Sequence, residues 1–312
     1  MQTILGGNGT IGTVLASELT KYTTKIRLVS RKPKKVNPTD ELFPADLSDP
    51  IMVDKAVAGS EVVYLLVGFD YNIKVWQDKW PKLMRATLDA CIKHKARLVF
   101  FDNVYLYDVN AIGHMMENSP VNPSSKKGKV RKAIAEMLMN EVKAGNIQAL
   151  IARAADFYGP DNDKSFLIEV IYKNLKKGKR ANWFIDLDKK HSFTYTPDAA
   201  HAVALLGNTA DAFNQVWHLP TDKDALTGRQ MAELFMKEMN VNSKVSVLPM
   251  WMIKFIGLFI PLMREMPEMM YQYDREYIFD SSKFENRFGI KPTTYQQGVK
   301  EIVTGVVPGR NS

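Results

Sequence analysis

The chain has one cysteine, Cys91, so no disulfide can form within it. A lone thiol suits a buried helix face in a reducing compartment and excludes a cross-linked secreted scaffold. The five histidines, His94, His114, His191, His201 and His218, are scattered. No pair of them has ligand spacing with a carboxylate or thiolate, so no metal site is expected. No Ser-His-Asp arrangement can be assembled, and no Gly-Lys-Ser/Thr follows the glycine-rich turn, which excludes an ATP-type P-loop. No apolar run reaches the roughly 20 residues of a membrane span. A first strand beginning almost at Met1 leaves no space for a signal peptide, so the expected location is cytoplasmic. Acidic residues are fewer than basic ones, giving a net charge of +8. The basic residues are spread out, and a run such as Lys173 to Arg180 reads as solvated helix ends. Without a reader motif this charge does not predict nucleic-acid binding; a polyanionic small molecule accounts for it more simply.

What remains is an ordinary globular composition, 46% hydrophobic and 24% charged. The length allows one α/β body with a smaller appended lobe. Its entry is Thr3-Ile4-Leu5-Gly6-Gly7-Asn8-Gly9-Thr10-Ile11-Gly12, after which Val14, Leu15 and Leu19 continue at helical spacing. Strand, glycine turn and helix open a dinucleotide-binding unit. Gly6 permits the tight turn, Gly9 admits a pyrophosphate close to the backbone, and Gly12 lets helix and strand pack closely. The amides around Asn8, Thr10 and Ile11 and the helix dipole attract the phosphates.

Lys25 to Ser30 reads as the second strand and runs into Arg31-Lys32-Pro33-Lys34. An NAD-specific site places a carboxylate here to hold the ribose hydroxyls. Arg31 and Lys32 instead suit a 2′-phosphate, so NADP is expected, with NAD open and an ordinary basic turn as the other reading. Glu61 to Gly68 is the fourth strand, and Val67-Gly68 lets the nicotinamide half pass close. A long amphipathic helix follows from about Val75 to Lys95. Arg97 to Phe101 and Ile147 to Ala152 are the fifth and sixth strands. In a doubly wound sheet their polar tails emerge where ligands bind.

The glycine spacing is G-x-x-G-x-x-G. Arg153 to Pro160 matches R-x-x-x-x-Y-G-P, His191 to Ala200 forms a turn before a helix, and Phe213 to Leu219 follows as a last strand. In this order the motifs resemble the atypical and extended short-chain dehydrogenase/reductases, including the NAD-dependent epimerase/dehydratase-like branch. The resemblance covers most of the chain. It implies a Rossmann-type doubly wound parallel sheet with a smaller, mostly helical C-terminal substrate lobe. Residues 1–160 and 191–219 would form the cofactor body, and 161–190 and 220–312 the lobe. It also implies that Asp46, followed by Leu47, contacts adenine, with a helix cap as the other reading of Asp46. The long helix would contribute to a homodimer interface or else pack in the core.

In that family a Y-x-x-x-K pair and a serine handle the proton beside the nicotinamide. A literal Y-x-x-x-K stands at Tyr172 and Lys176, but it lies beyond the sixth strand, in the wrong element. Taken in order, Lys127 stands where Tyr belongs, Arg131 where Lys belongs, and Asp102 or Asn103 where Ser belongs. Arg131 would hold the ribose. Lys127 and Arg131 share one helix face, and Lys127 would serve as an acid only where its surroundings ease loss of the proton. Its other reading is a solvated helix residue in an altered or silent site. Tyr105, Tyr107 and Tyr158 are further phenols at strand ends, with packing as their other reading. The expected function is reduction, epimerisation or dehydration of a carbonyl or nucleotide-sugar-type small molecule. The alternative is a catalytically silent NADP(H)-sensing protein.

After Pro220 the expected pattern is a capped helix from Thr227 to Met239 and a strand from Lys244 to Leu248. The most apolar stretch, Pro249 to Ile260, comes next. Met263, Met266, Met269 and Met270 read as core or pocket wall. A membrane-surface helix is the other reading of the apolar stretch.

Overall fold

Apolar runs with little polar interruption become the middle of a parallel sheet, because helices cover both of its faces. The computed structural model describes residues 1–163 and 165–305. It begins β1 (Gln2–Leu5), α1 (Thr10–Leu19), β2 (Ile26–Ser30), β3 (Glu41–Pro44), α2 (Pro50–Val57) and β4 (Val62–Leu65). It continues α3 (Ile73–His94), β5 (Arg97–Asp102), α4 (Lys126–Lys143) and β6 (Ala149–Arg153). Helix α5 (Thr196–Gly207) and strand β7 (Val216–His218) come later in the chain. The sheet order is β3-β2-β1-β4-β5-β6-β7, with every pairing parallel. Strands β1, β4 and β6 are buried along their whole length.

Alternation along the strands separates two faces. Leu5, Val29, Val63, Leu65, Leu98 and Phe100 share one core with α2, α3 and α4. Helix α3 contributes Trp76, Trp80, Leu83 and Leu88 to it, so this apolar stripe is spent on its own sheet. On the other face α5 approaches so closely that a Cβ at Gly207 would lie 2.3 Å from the Tyr64 hydroxyl. Cys91 is buried in α3, and burial pushes its thiol pKa up, which leaves little thiolate to react.

The chain forms two compact units: Met1–Leu106, Lys126–Arg153 and Ala199–Leu219, and then Tyr107–Ser125, Ala154–Asp198 and the chain from Pro220. Residues 107–125, 154–160 and 191–198 thus fall in the second unit, where strand pairing accounts for them. Asp156–Tyr158 pairs with Phe193–Tyr195, and Met115 bridges to Phe279. In this unit Thr227 closes a capping box on the helix Gly228–Glu238, and Ala181–Phe184 pairs with Val245–Leu248. Met269 and Met270 are buried, Met270 in the core of this unit, and Met263 and Met266 pack against that core. No helix among the described residues is long and apolar enough to cross a membrane.

Candidate functional site

Strand order reverses between β1 and β4, and the glycine turn leaves β1 at that switch point. Gly6 has φ +98°, and a Cβ there would lie 3.0 Å from the backbone of Leu66. The amides of Gly6 and Gly7 both donate to the Val29 carbonyl, at 3.0 and 3.2 Å, which ties the turn to β2. A Cβ at Gly12 would lie 2.7 Å from the Gly6 carbonyl oxygen, so packing demands glycine there. Gly9 differs: a Cβ would meet the Gly6 oxygen at 3.5 Å, an ordinary contact. Helix α1 opens on Gly9 with no side-chain cap, whereas Asp49 caps α2 and Asn72 caps α3. Asn8 and Gly9 are exposed beside the half-buried Thr10 and Ile11. Gly12→Ala is expected to destabilise the fold by about 1–3 kcal/mol through forced backbone movement. Gly9→Ala should cost less than about 1 kcal/mol; urea unfolding of the two variants checks the contrast.

At the end of β2 the Ser30 hydroxyl donates to Asn8 Oδ1 at 2.7 Å, and Arg31 and Lys32 beyond it are exposed. Asp46 is also exposed. Its carboxylate accepts from the Ser48 amide and hydroxyl, at 3.0 and 2.8 Å. Those bonds, helped by the fields of Arg31 and Lys79, hold its pKa below the usual value. Asp46 does not cap α2; Asp49 does, accepting from the Ile51 amide. Leu47 and Val67 are half-buried at the edge of the core, and Gly68 is exposed with open space on its side-chain side.

The carboxyl end of β5 carries a buried charge cluster. Asp102 Oδ1 accepts from Arg131 Nε at 2.7 Å and from a second Arg131 nitrogen at 2.5 Å. Asp102 Oδ2 faces Arg153 at 3.3 Å, and the Asn103 amide donates to Oδ1 at 2.8 Å. Arg131 lies over the rings of Trp80 and Phe100, at 4.4 and 4.9 Å from their centres. Arg131, the residue expected at the ribose, joins α4 to β5 through Asp102. One turn earlier on α4, Lys127 is fully buried, with Nζ 4.6 Å from the centre of the Tyr71 ring. Asn103 Oδ1 accepts from the Tyr105 amide at 3.1 Å, and Tyr105 stacks on Trp76. All of these belong to the first unit.

Tyr107 and Tyr158 belong to the second unit and are buried. Tyr158 packs among Tyr195 and Tyr295, its hydroxyl has no hydrogen-bond partner among the described residues, and burial raises its pKa well above that of free tyrosine. Tyr172 ends a short π-helix and packs on Phe235, with Lys176 over its ring. The sequence reading missed Asp102 as the shared acceptor for two arginines, 29 and 51 residues away along the chain. It also missed Tyr71 beneath Lys127. In the second unit it missed His191, stacked between Tyr273 and Tyr277 with Nε2 2.9 Å from Asp156. The one signal for Asp102 was a charged residue directly after the apolar run Leu98 to Phe101. Among the described residues no group of three or more His, Cys, Asp or Glu could hold a metal ion.

Residues 3–218 match the model of the NAD dependent epimerase/dehydratase family. The chain belongs to that family. No curated protein matches the sequence. Among solved structures, the UDP-glucose 4-epimerase of Thermotoga maritima, with UDP-glucose, is similar at TM-score 0.80 and 17% identity, covering 97% of this chain and 98% of the other. A dTDP-glucose 4,6-dehydratase double mutant from Streptomyces venezuelae, with NAD bound, has TM-score 0.79 and 15% identity, covering 97% and 96%. The UDP-N-acetylglucosamine 4-epimerase of Bacillus cereus has TM-score 0.76 and 16% identity, covering 100% and 97%. At these identities the likeness is one of fold.

Proposed function

We propose that this family member is an NADP(H)-dependent oxidoreductase or epimerase/dehydratase-like enzyme acting on a carbonyl or nucleotide-sugar-type small molecule. The observation that carries the cofactor reading is Gly9: the fold does not require glycine there, yet a side chain would project where a pyrophosphate approaches the uncapped start of α1. Asn8, Thr10 and Ile11 shape that cradle. Asp46 and Leu47 suit the adenine end, and Val67 and Gly68 the nicotinamide half. Arg31 and Lys32, which follow β2 where an NAD-specific site carries a carboxylate, suit a 2′-phosphate. The neighbours support the class: the dehydratase carries NAD and an epimerase carries UDP-glucose.

A bound nicotinamide would supply hydride transfer. The chain's own part is to move a proton, and Lys127 is the group assigned to it. Its ammonium gives a proton to a carbonyl oxygen on reduction, and its amine takes one from a hydroxyl on oxidation. Arg131 is a positioning residue that acts through Asp102 and fixes the first turns of α4. Asn103 shapes the loop after β5, and Tyr105 and Tyr107 stand next in line as acids. Tyr158, buried among Tyr195 and Tyr295, shapes the second unit, which would bind the substrate.

Calorimetric titration with NADP and NAD tests the cofactor reading. NADP is expected to bind more tightly, and Gly9→Ala to lose binding of both while still folding. Arg31→Ala should remove a charge-assisted contact of about 1.5–3 kcal/mol from NADP alone. Equal affinities in the unaltered protein, or an unchanged ratio in the variant, overturn the preference.

A further inference from the structure

The glycine turn joins two residues that react with each other. Asn8-Gly9 is the only Asn-Gly pair in the sequence. In such a pair the backbone nitrogen that follows asparagine attacks the side-chain amide carbon, and glycine has no Cβ to crowd the approach. Both residues are exposed, so water and base reach them.

Two hydrogen bonds hold the reacting groups. The Ser30 hydroxyl, at the end of β2, donates to Asn8 Oδ1 at 2.7 Å and fixes the side chain. The Gly9 amide, a nucleophile only after losing its proton, donates to the Gly6 carbonyl at 3.1 Å. The second bond is backbone to backbone, whereas the first depends on one side chain. The turn has little slack to rearrange, since a Cβ at Gly12 would already lie 2.7 Å from the Gly6 oxygen.

We propose that Asn8 is a deamidation site, guarded by Ser30, whose conversion closes the turn to a dinucleotide. The Gly9 nitrogen gives its proton to base and bonds to Asn8 Cγ. The Cγ–Nδ2 bond breaks, and the nitrogen leaves as ammonia. Water then opens the cyclic imide at Cγ, giving aspartate, or at the backbone carbonyl, giving isoaspartate. Either product places a carboxylate just before α1, whose start has no side-chain cap. There it competes with anionic phosphates for the helix N-terminus and repels them. Isoaspartate also lengthens the backbone of the turn by one atom. The modification stands on the turn alone, while its effect on the cofactor rests on the reading proposed above.

The test keeps the folded chain, Ser30→Ala, Ser30→Thr and Asn8→Gln in mildly alkaline buffer, beside the unaltered chain unfolded in urea. Mass spectrometry of the peptide holding residue 8 follows the gain of one mass unit as amide becomes acid. The urea-unfolded chain is expected to react fastest and the folded chain slowest. Ser30→Ala should react about threefold to tenfold faster than the folded chain, the loss of one neutral hydrogen bond. Ser30→Thr keeps the hydroxyl and should keep the guard, and Asn8→Gln should stay unmodified, because a larger ring closes far more slowly. In calorimetry Asn8→Asp, the product itself, should bind NADP and NAD at least about tenfold more weakly. Equal rates in the folded chain and Ser30→Ala, or in the folded and unfolded chain, overturn the guard. Full cofactor affinity in Asn8→Asp overturns the closing of the turn. If the unaltered chain binds neither dinucleotide, the cofactor reading fails, and the mass spectra still decide the modification.

Discussion

Lys127→Met is expected to lower turnover by about 10²–10⁴, the usual contribution of a positioned proton donor, while NADP affinity stays within about twofold, a change below roughly 0.5 kcal/mol. The measurement is NADPH oxidation on any carbonyl or nucleotide-sugar that the unaltered protein turns over, beside calorimetric titration of the cofactor. Methionine keeps the length of the side chain and removes its charge. A lysine with no exposed surface is rare in a folded protein unless something holds it there. Loss of the contact with the Tyr71 ring costs about 0.5–2 kcal/mol, so the melting midpoint of the variant is measured beside its turnover to separate chemistry from folding. A variant that turns over normally removes Lys127 from the chemistry and makes Tyr105 and Tyr107 the next to test. A cofactor-bound structure with nicotinamide C4 sealed by apolar side chains would replace the enzyme reading with that of a sensor.

The glycine turn was legible because Gly6 and Gly12 answer to local geometry: a positive φ in one case, a helix pressed on a turn in the other. The strands were legible for the related reason that burial on both faces of the sheet permits little but apolar residues. The boundaries of the two units were not, since the pairing of Asp156–Tyr158 with Phe193–Tyr195 joins segments far apart in the chain. The orientation of Arg131 was hidden for the same reason. Helical spacing placed it one turn from Lys127, but its direction depends on Asp102 at the end of β5 and on rings from α3. The apolar stretch after Pro249 was ambiguous in principle, because periodicity tells which residues share a face and not what covers that face.

Asp102→Ala is expected to cost about 3–5 kcal/mol of stability, the largest effect of any single change considered for this chain. The carboxylate is fully buried, accepts from Arg131 and also faces Arg153, so its removal takes the counter-charge from two buried guanidinium groups at the end of β5. Burial is what makes this large, because an exposed ion pair is worth well under about 1 kcal/mol. Arg131→Met should cost less, since Asp102 keeps Arg153 and a methionine fits among Trp80 and Phe100. The two changes together should cost less than the sum of the singles, with a coupling of about 0.5–3 kcal/mol. Urea unfolding of all four proteins closes the cycle. The same four separate the two roles open to Arg131. If it holds β5 to α4, Asp102→Ala and Arg131→Met weaken NADP binding together, because the first turns of α4 lose their anchor in both. If its guanidinium leaves Asp102 for the cofactor ribose, Arg131→Met weakens binding far more than its stability loss accounts for, and the double variant binds no better than Arg131→Met alone.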